Sequence, residues 1–320
     1  MNYAFLRCVL CAVSLVSLLT VGVAAQHTIL WDNLRLDLRP SSLTSDDWHD
    51  LVVDSSGEYR VFWTQQAVGG VKKNIIMRRF NTQGVPVGAE TAVRSVPASA
   101  ICEIIGSGYG TWAVLWIEKN LSDTVLYMQR FGADGVLRDE QPFRVASINN
   151  AKYYSLDGRA IIDHNEYVLI VVPALNSDFT DNKQRVFYYN RSGIADSITI
   201  KSSNSWFREV VPQPESRAIF LFEDQYYLAQ GGARYRIYSQ VYSYATNRLS
   251  AMSEKRVIEE GIGPDNFSYD VSAIGRCDYT GVAMTFWDPV YNQLAFKLLN
   301  GDGVSQGQRR ILQYLSLIHI

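Results

Sequence analysis

The chain has 320 residues and a mass of 36.1 kDa, with 47% hydrophobic and 19% charged residues, so it carries enough apolar side chain for a sizeable core and a disordered polypeptide is excluded. Its 30 basic and 32 acidic residues leave a formal net charge of -2, which excludes the basic footprint that nucleic acid or an anionic membrane would require.

Residues 1–25 read as an export signal: Arg7 in a short leading region, an uncharged run over 8–25, and the small residues Val23-Ala24-Ala25 ahead of Gln26. The alternative is an uncleaved anchor, since the apolar run approaches the roughly 20 residues that span a bilayer. Cleavage yields an exported product, soluble in the periplasm or outside the cell, and Cys8 and Cys11 leave with the signal. Residues 26–47 form an N-terminal segment in which Thr28-Ile-Leu-Trp31 and Leu34-Arg-Leu36 offer a strand to seal a ring of repeats. In an oxidising compartment the remaining Cys102 and Cys277 permit one disulfide without demanding it. Two isolated cysteines and the scattered His27, His49, His164 and His319 make no metal signature, and neither a metal nor another cofactor is expected.

From residue 48 onward the sequence repeats. Phe80-Asn-Thr-Gln-Gly84-Val85, Phe131-Gly-Ala-Asp-Gly135-Val136, Tyr189-Asn-Arg-Ser-Gly193-Ile194 and Leu299-Asn-Gly-Asp-Gly303-Val304 share one form, and Tyr242-Ser-Tyr-Ala-Thr-Asn247 is a degenerate copy. The leading residues are 51, 58, 53 and 57 positions apart. Each copy reads as a strand end followed by a tight turn in which Gly or Asn takes the left-handed conformation. A second landmark keeps step: Trp63, Trp116, Val172, Phe222 and Trp287 close apolar runs such as Thr111-Trp-Ala-Val-Leu-Trp116 and Tyr167-Val-Leu-Ile-Val-Val172. Such runs, β-branched and aromatic, suit strands buried on both faces. An amphipathic strand follows each landmark, for example Val125-Leu-Tyr-Met-Gln-Arg-Phe131, then a more polar strand after the turn, and a short apolar strand precedes it.

Four antiparallel strands per unit, five units and no amphipathic helix predict an all-β fold, a β-propeller with one blade per repeat over about 48–98, 99–148, 149–203, 204–262 and 263–314. A β-sandwich competes, but it repeats at the level of single hairpins and not in blocks of four strands. Over residues 48–312 the pattern resembles the blade repeats of secreted bacterial propellers that carry a strand, Arg-Phe and Asn/Asp-x-x-Gly in tandem. That resemblance implies the fold and transfers no catalytic residue. The last six residues, Leu315-Ser-Leu-Ile-His-Ile320, resemble a translated sequencing adapter, so that the natural protein continues past Tyr314 and the number of blades stays open; the alternative is a genuine apolar strand.

Chemistry is harder to find. Trp31-Asp32 and Trp287-Asp288 lack the Gly-His partner of WD repeats, Asp54-Ser-Ser-Gly57 has the wrong spacing for a sialidase box, and no nucleophile elbow or phosphate loop is present. Glycoside hydrolysis needs only two or three facing carboxylates, and Glu118, Glu223, Asp224 and Asp288, expected in loops just after the landmark strands, are the candidates. A binding role draws on aromatics expected on the same face: Tyr153, Tyr154, Trp206, Phe207, Phe267 and Tyr269 in the connections between blades, with Tyr226 and Tyr227 in a loop after Phe222. Such rings stack on sugars or anchor a protein partner. The reading is therefore an exported scaffold that binds carbohydrate or protein, with a loop-carboxylate glycosidase as the alternative. The sequons Asn120-Leu-Ser122, Asn190-Arg-Ser192 and Asn266-Phe-Ser268 matter only in a eukaryotic secretory pathway.

Overall fold

The computed structural model describes residues 44–45, 49–54, 56–67, 69–107, 110–119, 123–147, 159–163, 165–173, 184–200, 205–228, 231–263, 271–275, 281–288 and 293–311. The export signal, the Thr28–Leu36 stretch, Cys277, the adapter-like end and the sequons at Asn120 and Asn266 lie outside these residues. The described chain is strands and turns with no helix, arranged as five antiparallel sheets that succeed one another along the sequence.

The first sheet holds β1 (Thr44–Ser45), β2 (His49–Val53), β3 (Tyr59–Ala67), β4 (Lys72–Phe80) and β5 (Pro86–Pro97). Because β1 and β2 pair with opposite ends of β3 on the side away from β4, they amount to one interrupted inner strand. The second sheet is β6 (Ile101–Gly106), β7 (Trp112–Lys119), β8 (Thr124–Phe131) and β9 (Phe143–Ser147), and the third is β10 (Ala160–Ile162), β11 (Val168–Pro173), β12 (Gln184–Asn190) and β13 (Gly193–Ile200). In the fourth, β14 (Ser205–Gln213), β15 (Arg217–Tyr227) and β16 (Ala233–Ser243) are followed by β17 (Ser250–Ala251) and β18 (Arg256–Gly263), which share one edge of β16 as an interrupted outer strand. The fifth is β19 (Val271–Gly275), β20 (Gly281–Asp288), β21 (Gln293–Asn300) and β22 (Ser305–Ile311). Each sheet is thus a four-position meander.

Side chains alternate across a strand, so a run that is apolar at every position must be covered on both faces. On β7, Trp112, Val114 and Trp116 pack with Phe62, Ile75 and Met77 of the first sheet, while Ala113, Leu115 and Ile117 pack with Val168, Ile170 and Phe187 of the third. On β11 the alternate residues Leu169 and Val171 meet Phe220 and Phe222 of the fourth sheet, and on β15 Ile219 and Leu221 meet Val282, Met284 and Phe286 of the fifth. The inner strands adjoin in the same succession, β2 to β6, β6 to β10, β10 to β14 and β14 to β19. Face-to-face meanders with adjacent inner strands are the blade arrangement of a β-propeller. The inner strands approach closely at Gly106 on β6, where a Cβ would collide with the Val52 side chain of β2.

The repeated turn motif has a second role. Gly84, Gly135 and Gly303 hold φ of 79°, 79° and 71°, and Asn247 takes 56° where the fourth unit lacks the glycine. Asn81 Oδ1 accepts from the amides of Gln83 and Val85 at 3.1 and 2.8 Å, and Asn300 Oδ1 does the same for Asp302 and Val304 at 3.0 and 2.9 Å. Each of the first four sheets then sends a donor to the turn of the next. Arg60 Nη2 donates to Ala133 O at 2.8 Å, Arg130 to Asn190 O and Arg191 O at 2.6 and 3.1 Å, Tyr188 OH to Asn247 Oδ1 at 3.4 Å, and Ser239 Oγ to Gly303 O at 2.6 Å. Turns whose carbonyls would otherwise point at an apolar interface are satisfied this way.

Candidate functional site

The four candidate acids occupy strands, not the loops expected of them: Glu118 lies on β7, Glu223 and Asp224 on β15 and Asp288 on β20. Strand alternation turns Glu223 and Asp224 to opposite faces of β15. Glu118 accepts from Trp116 Nε1 at 2.8 Å on the side of β7 that faces the first sheet. Asp224 shares its side with Phe222 and faces the third sheet, whereas Glu223 shares its side with Leu221 and faces the fifth. Glu223 is 0% exposed and carries an ion pair with Arg208, whose Nε donates at 2.7 Å. The side chain of Asp288 lies outside the described residues. Glu223 and Asp224, on opposite faces of one strand, do not form the facing pair that glycoside hydrolysis uses.

Among the candidate aromatics, Phe207 is a correction. At 3% exposure it packs edge-on against Phe220 and Phe222 at centroid distances of 5.9 Å, with Arg159 over its ring, because its β14 position faces the third sheet. Tyr153, Tyr154, Phe267 and Tyr269 lie outside the described residues, as do the side chains of Trp206 and Tyr227, whose backbones belong to β14 and β15. Tyr226 is 38% exposed and, like Tyr227, is a strand residue and not a loop residue.

Tyr226 stands at the end of the longest central hairpin. β15 and β16 have 11 residues each, and β15 reaches Tyr227, five residues past Phe222, whereas β11 and β20 stop one residue past Val172 and Trp287. The tip is closed by Leu228 N to Gly232 O at 2.9 Å and Gly231 N to Leu228 O at 3.0 Å, with Gly231 and Gly232 both at positive φ. β18 follows this extension, so three strands carry it. Register sets the rows on one face: Phe222 opposite Tyr238, then Asp224, Arg236 and Glu260, then Tyr226, Arg234 and Ile262 at the end.

The middle row is tied together. Tyr226 OH donates to Asp224 Oδ2 at 2.9 Å, Arg236 Nε donates to Glu260 Oε2 at 2.6 Å, and the Arg236 guanidinium lies 5.6 Å from the Tyr226 ring centroid. Lys255 sets its ammonium 4.7 Å over the Phe222 ring; burial lowers its pKa, and Asp224 works against that. Burial and the bond to Asp224 push the Tyr226 phenol up to about 12, so it is a neutral donor at physiological pH. The end row is open: Arg234 and Ile262 are 39% and 54% exposed beside Tyr226. Arg234, Arg236, Glu260 and Ile262 have no motif of their own in the sequence. Their signal is the alternation of Arg234 and Arg236 with the buried Tyr235 and Ile237 along β16. Among the described residues, no group of three or more His, Cys, Asp or Glu side chains is placed to hold a metal ion.

No protein-family model and no curated protein sequence matches the chain. Among solved structures it is similar to TolB from Acinetobacter baumannii, at 10% identity and a TM-score of 0.40, covering 79% of this chain and 52% of that one, so that it spans about half of the TolB structure. It is similar to the Cellvibrio cellulosa α-L-arabinanase complexed with arabinohexaose at 8% identity and a TM-score of 0.40, covering 81% and 93% of the two chains. The β-propeller domain of the Trilobed protease from Pyrococcus furiosus aligns at 10% identity and a TM-score of 0.39, covering 86% and 99%.

Proposed function

We propose that this β-propeller is an exported, non-catalytic recognition scaffold and that its ligand, carbohydrate or protein, docks on the projecting end of the fourth sheet. The observation that carries this reading is the exposed row of Tyr226, Arg234 and Ile262 above a row whose charges are already paired. Tyrosine and arginine are enriched among the residues that carry the binding energy of recognition surfaces, tyrosine as a large contact at low entropic cost and arginine as a planar fork of donors. The tied row beneath holds the aromatic ring and the guanidinium in place before a ligand arrives, which lowers the ordering cost of binding.

The test is to probe a glycan array and an array of extracellular proteins with the secreted wild-type chain and with Tyr226→Ala. Loss of about 1 to 3 kcal/mol on truncating a central aromatic corresponds to a roughly 5-fold to 150-fold weaker ligand. Turnover of a glycoside by the wild type, abolished in Asp224→Asn, would instead establish an enzyme and sink the scaffold reading.

A further inference from the structure

Resting on that reading, we infer that the ligand is an acidic glycan, a chain of sugars bearing carboxylates such as hexuronates, with one carboxylate taken by Arg234 and a sugar ring laid on Tyr226. The charges on this face decide the class. Three cations, Arg234, Arg236 and Lys255, share it with two carboxylates, Asp224 and Glu260. Both carboxylates are in use. Asp224 accepts the Tyr226 hydroxyl and faces Lys255, while Glu260 gives one oxygen to Arg236 at 2.6 Å. Its other oxygen stands 3.5 Å from Arg234 Nη1, a loose ion pair; Arg234 Nε is buried without a hydrogen-bond partner, and the side chain, 39% exposed, offers its outer guanidinium nitrogens to solvent. Arg234 is therefore the least satisfied cation of the cluster, and its planar fork of donors suits a carboxylate.

Size separates a glycan from a protein. Three adjacent strands about 4.8 Å apart make the row from Tyr226 to Ile262 about 10 Å wide, the width of one or two sugar rings. A stable protein interface covers about 800 Å² per partner, several times the reach of this row. A neutral sugar would leave the guanidinium with only its loose ion pair to Glu260. A ring stacked on Tyr226 instead brings a substituent carboxylate over the cross-strand neighbour Arg234.

The test uses the full chain and isothermal titration with oligomers of galacturonate, mannuronate and glucuronate, each against the same oligomer with its carboxyls reduced to alcohols, and a glutamate-rich peptide. The expected result is that one acidic oligomer binds at least tenfold more tightly than its reduced form. Arg234→Gln abolishes that difference, Arg234→Lys keeps part of it, and Tyr226→Ala weakens acidic and reduced oligomers alike, all with unchanged circular dichroism. Equal affinity for acidic and reduced oligomers, or an Arg234→Gln variant that still discriminates, overturns the inference. Binding of neutral oligomers that Tyr226→Ala removes would leave the scaffold reading standing while the acidic class fell, and so would binding of the peptide alone. A wild-type chain that binds none of these probes removes the acidic-glycan inference, and a wild type that is also silent on the glycan and protein arrays removes the scaffold reading too.

Discussion

Replacing Arg130 should cost more stability than any surface change in the molecule. Its side chain is 2% exposed, and its guanidinium meets Asp139 at 2.7 to 3.2 Å and three backbone carbonyls, Glu166 O at 3.2 Å, Asn190 O at 2.6 Å and Arg191 O at 3.1 Å. Arg130→Met leaves the buried Asp139 carboxylate with the residue 130 backbone amide, at 2.9 Å, but without its charge partner, and three carbonyls of the next unit's turns without their guanidinium donor. Breaking a buried pair from one side costs about 3 to 5 kcal/mol, a large share of the roughly 5 to 15 kcal/mol that holds a domain folded. Arg130→Lys keeps the charge, but one ammonium cannot reproduce the planar fork, so it falls between the two. Urea unfolding of Arg130→Met, Asp139→Leu and the double variant measures the coupling. The double should lose less than the sum of the singles by at least about 1 kcal/mol, because Asp139 is costly only while unpaired. An Arg130→Met variant within about 0.5 kcal/mol of wild type, or strict additivity, would refute the idea that this side chain latches the second sheet to the third.

High pH should unfold the protein through its buried phenols. Burial pushes Tyr242 up to about 12 and raises Tyr188, Tyr189 and Tyr244 further, against about 10 in the unfolded chain. The unfolded chain then releases protons that the native state keeps, so this contribution is complete below about pH 10 and is lost as pH rises toward 12. Absorbance of phenolate on alkaline titration, with urea midpoints at about pH 9 and about pH 11.5, checks it; a midpoint that does not fall contradicts the burial of these rings. A change in the opposite direction is expected at the β14–β15 turn, where Glu215 and Ser216 hold φ of 60° and 54° without glycine. Ser216→Gly relieves that strain and should raise stability by up to about 1 kcal/mol in a thermal melt, and a lower melting temperature would count against it.

The centres of the strands were legible in the sequence and their ends were not, for one physical reason. Between two covering sheets every position is buried, so runs such as Trp112 to Ile117 are apolar throughout and cannot be mistaken. Beyond the landmarks the strands continue through polar residues, Thr64-Gln-Gln-Ala67 on β3 and Glu223-Asp-Gln-Tyr-Tyr227 on β15, which have the composition of loops. Reading Glu223 and Asp224 as loop residues made them candidates for a converging pair. Placing them in a strand sends adjacent side chains to opposite faces, and the pair dissolves.

The exposed row shows why a site built on register is hidden from spacing. Tyr226, Arg234 and Ile262 come from three strands, and what aligns them is the β15–β16 register, closed by the bond from Leu228 N to Gly232 O, together with a bulge on β18. Tyr238 pairs with Val257 but Ile237 pairs with Glu259, so Ile258 is the inserted residue, 4% exposed and packed toward the fifth sheet, with its carbonyl taken by Lys297. Counting by twos from Val257 would put Glu259 on the face of Tyr226 and Arg236, with Glu260 and Ile262 on the other. The bulge inverts that assignment. It brings Glu260 beneath the two arginines and Ile262 beside Arg234, and it frees Glu259 to pair with Lys297 at 2.8 Å on the opposite face. One inserted residue, held by its own burial in the core, thus decides which charges share the exposed row.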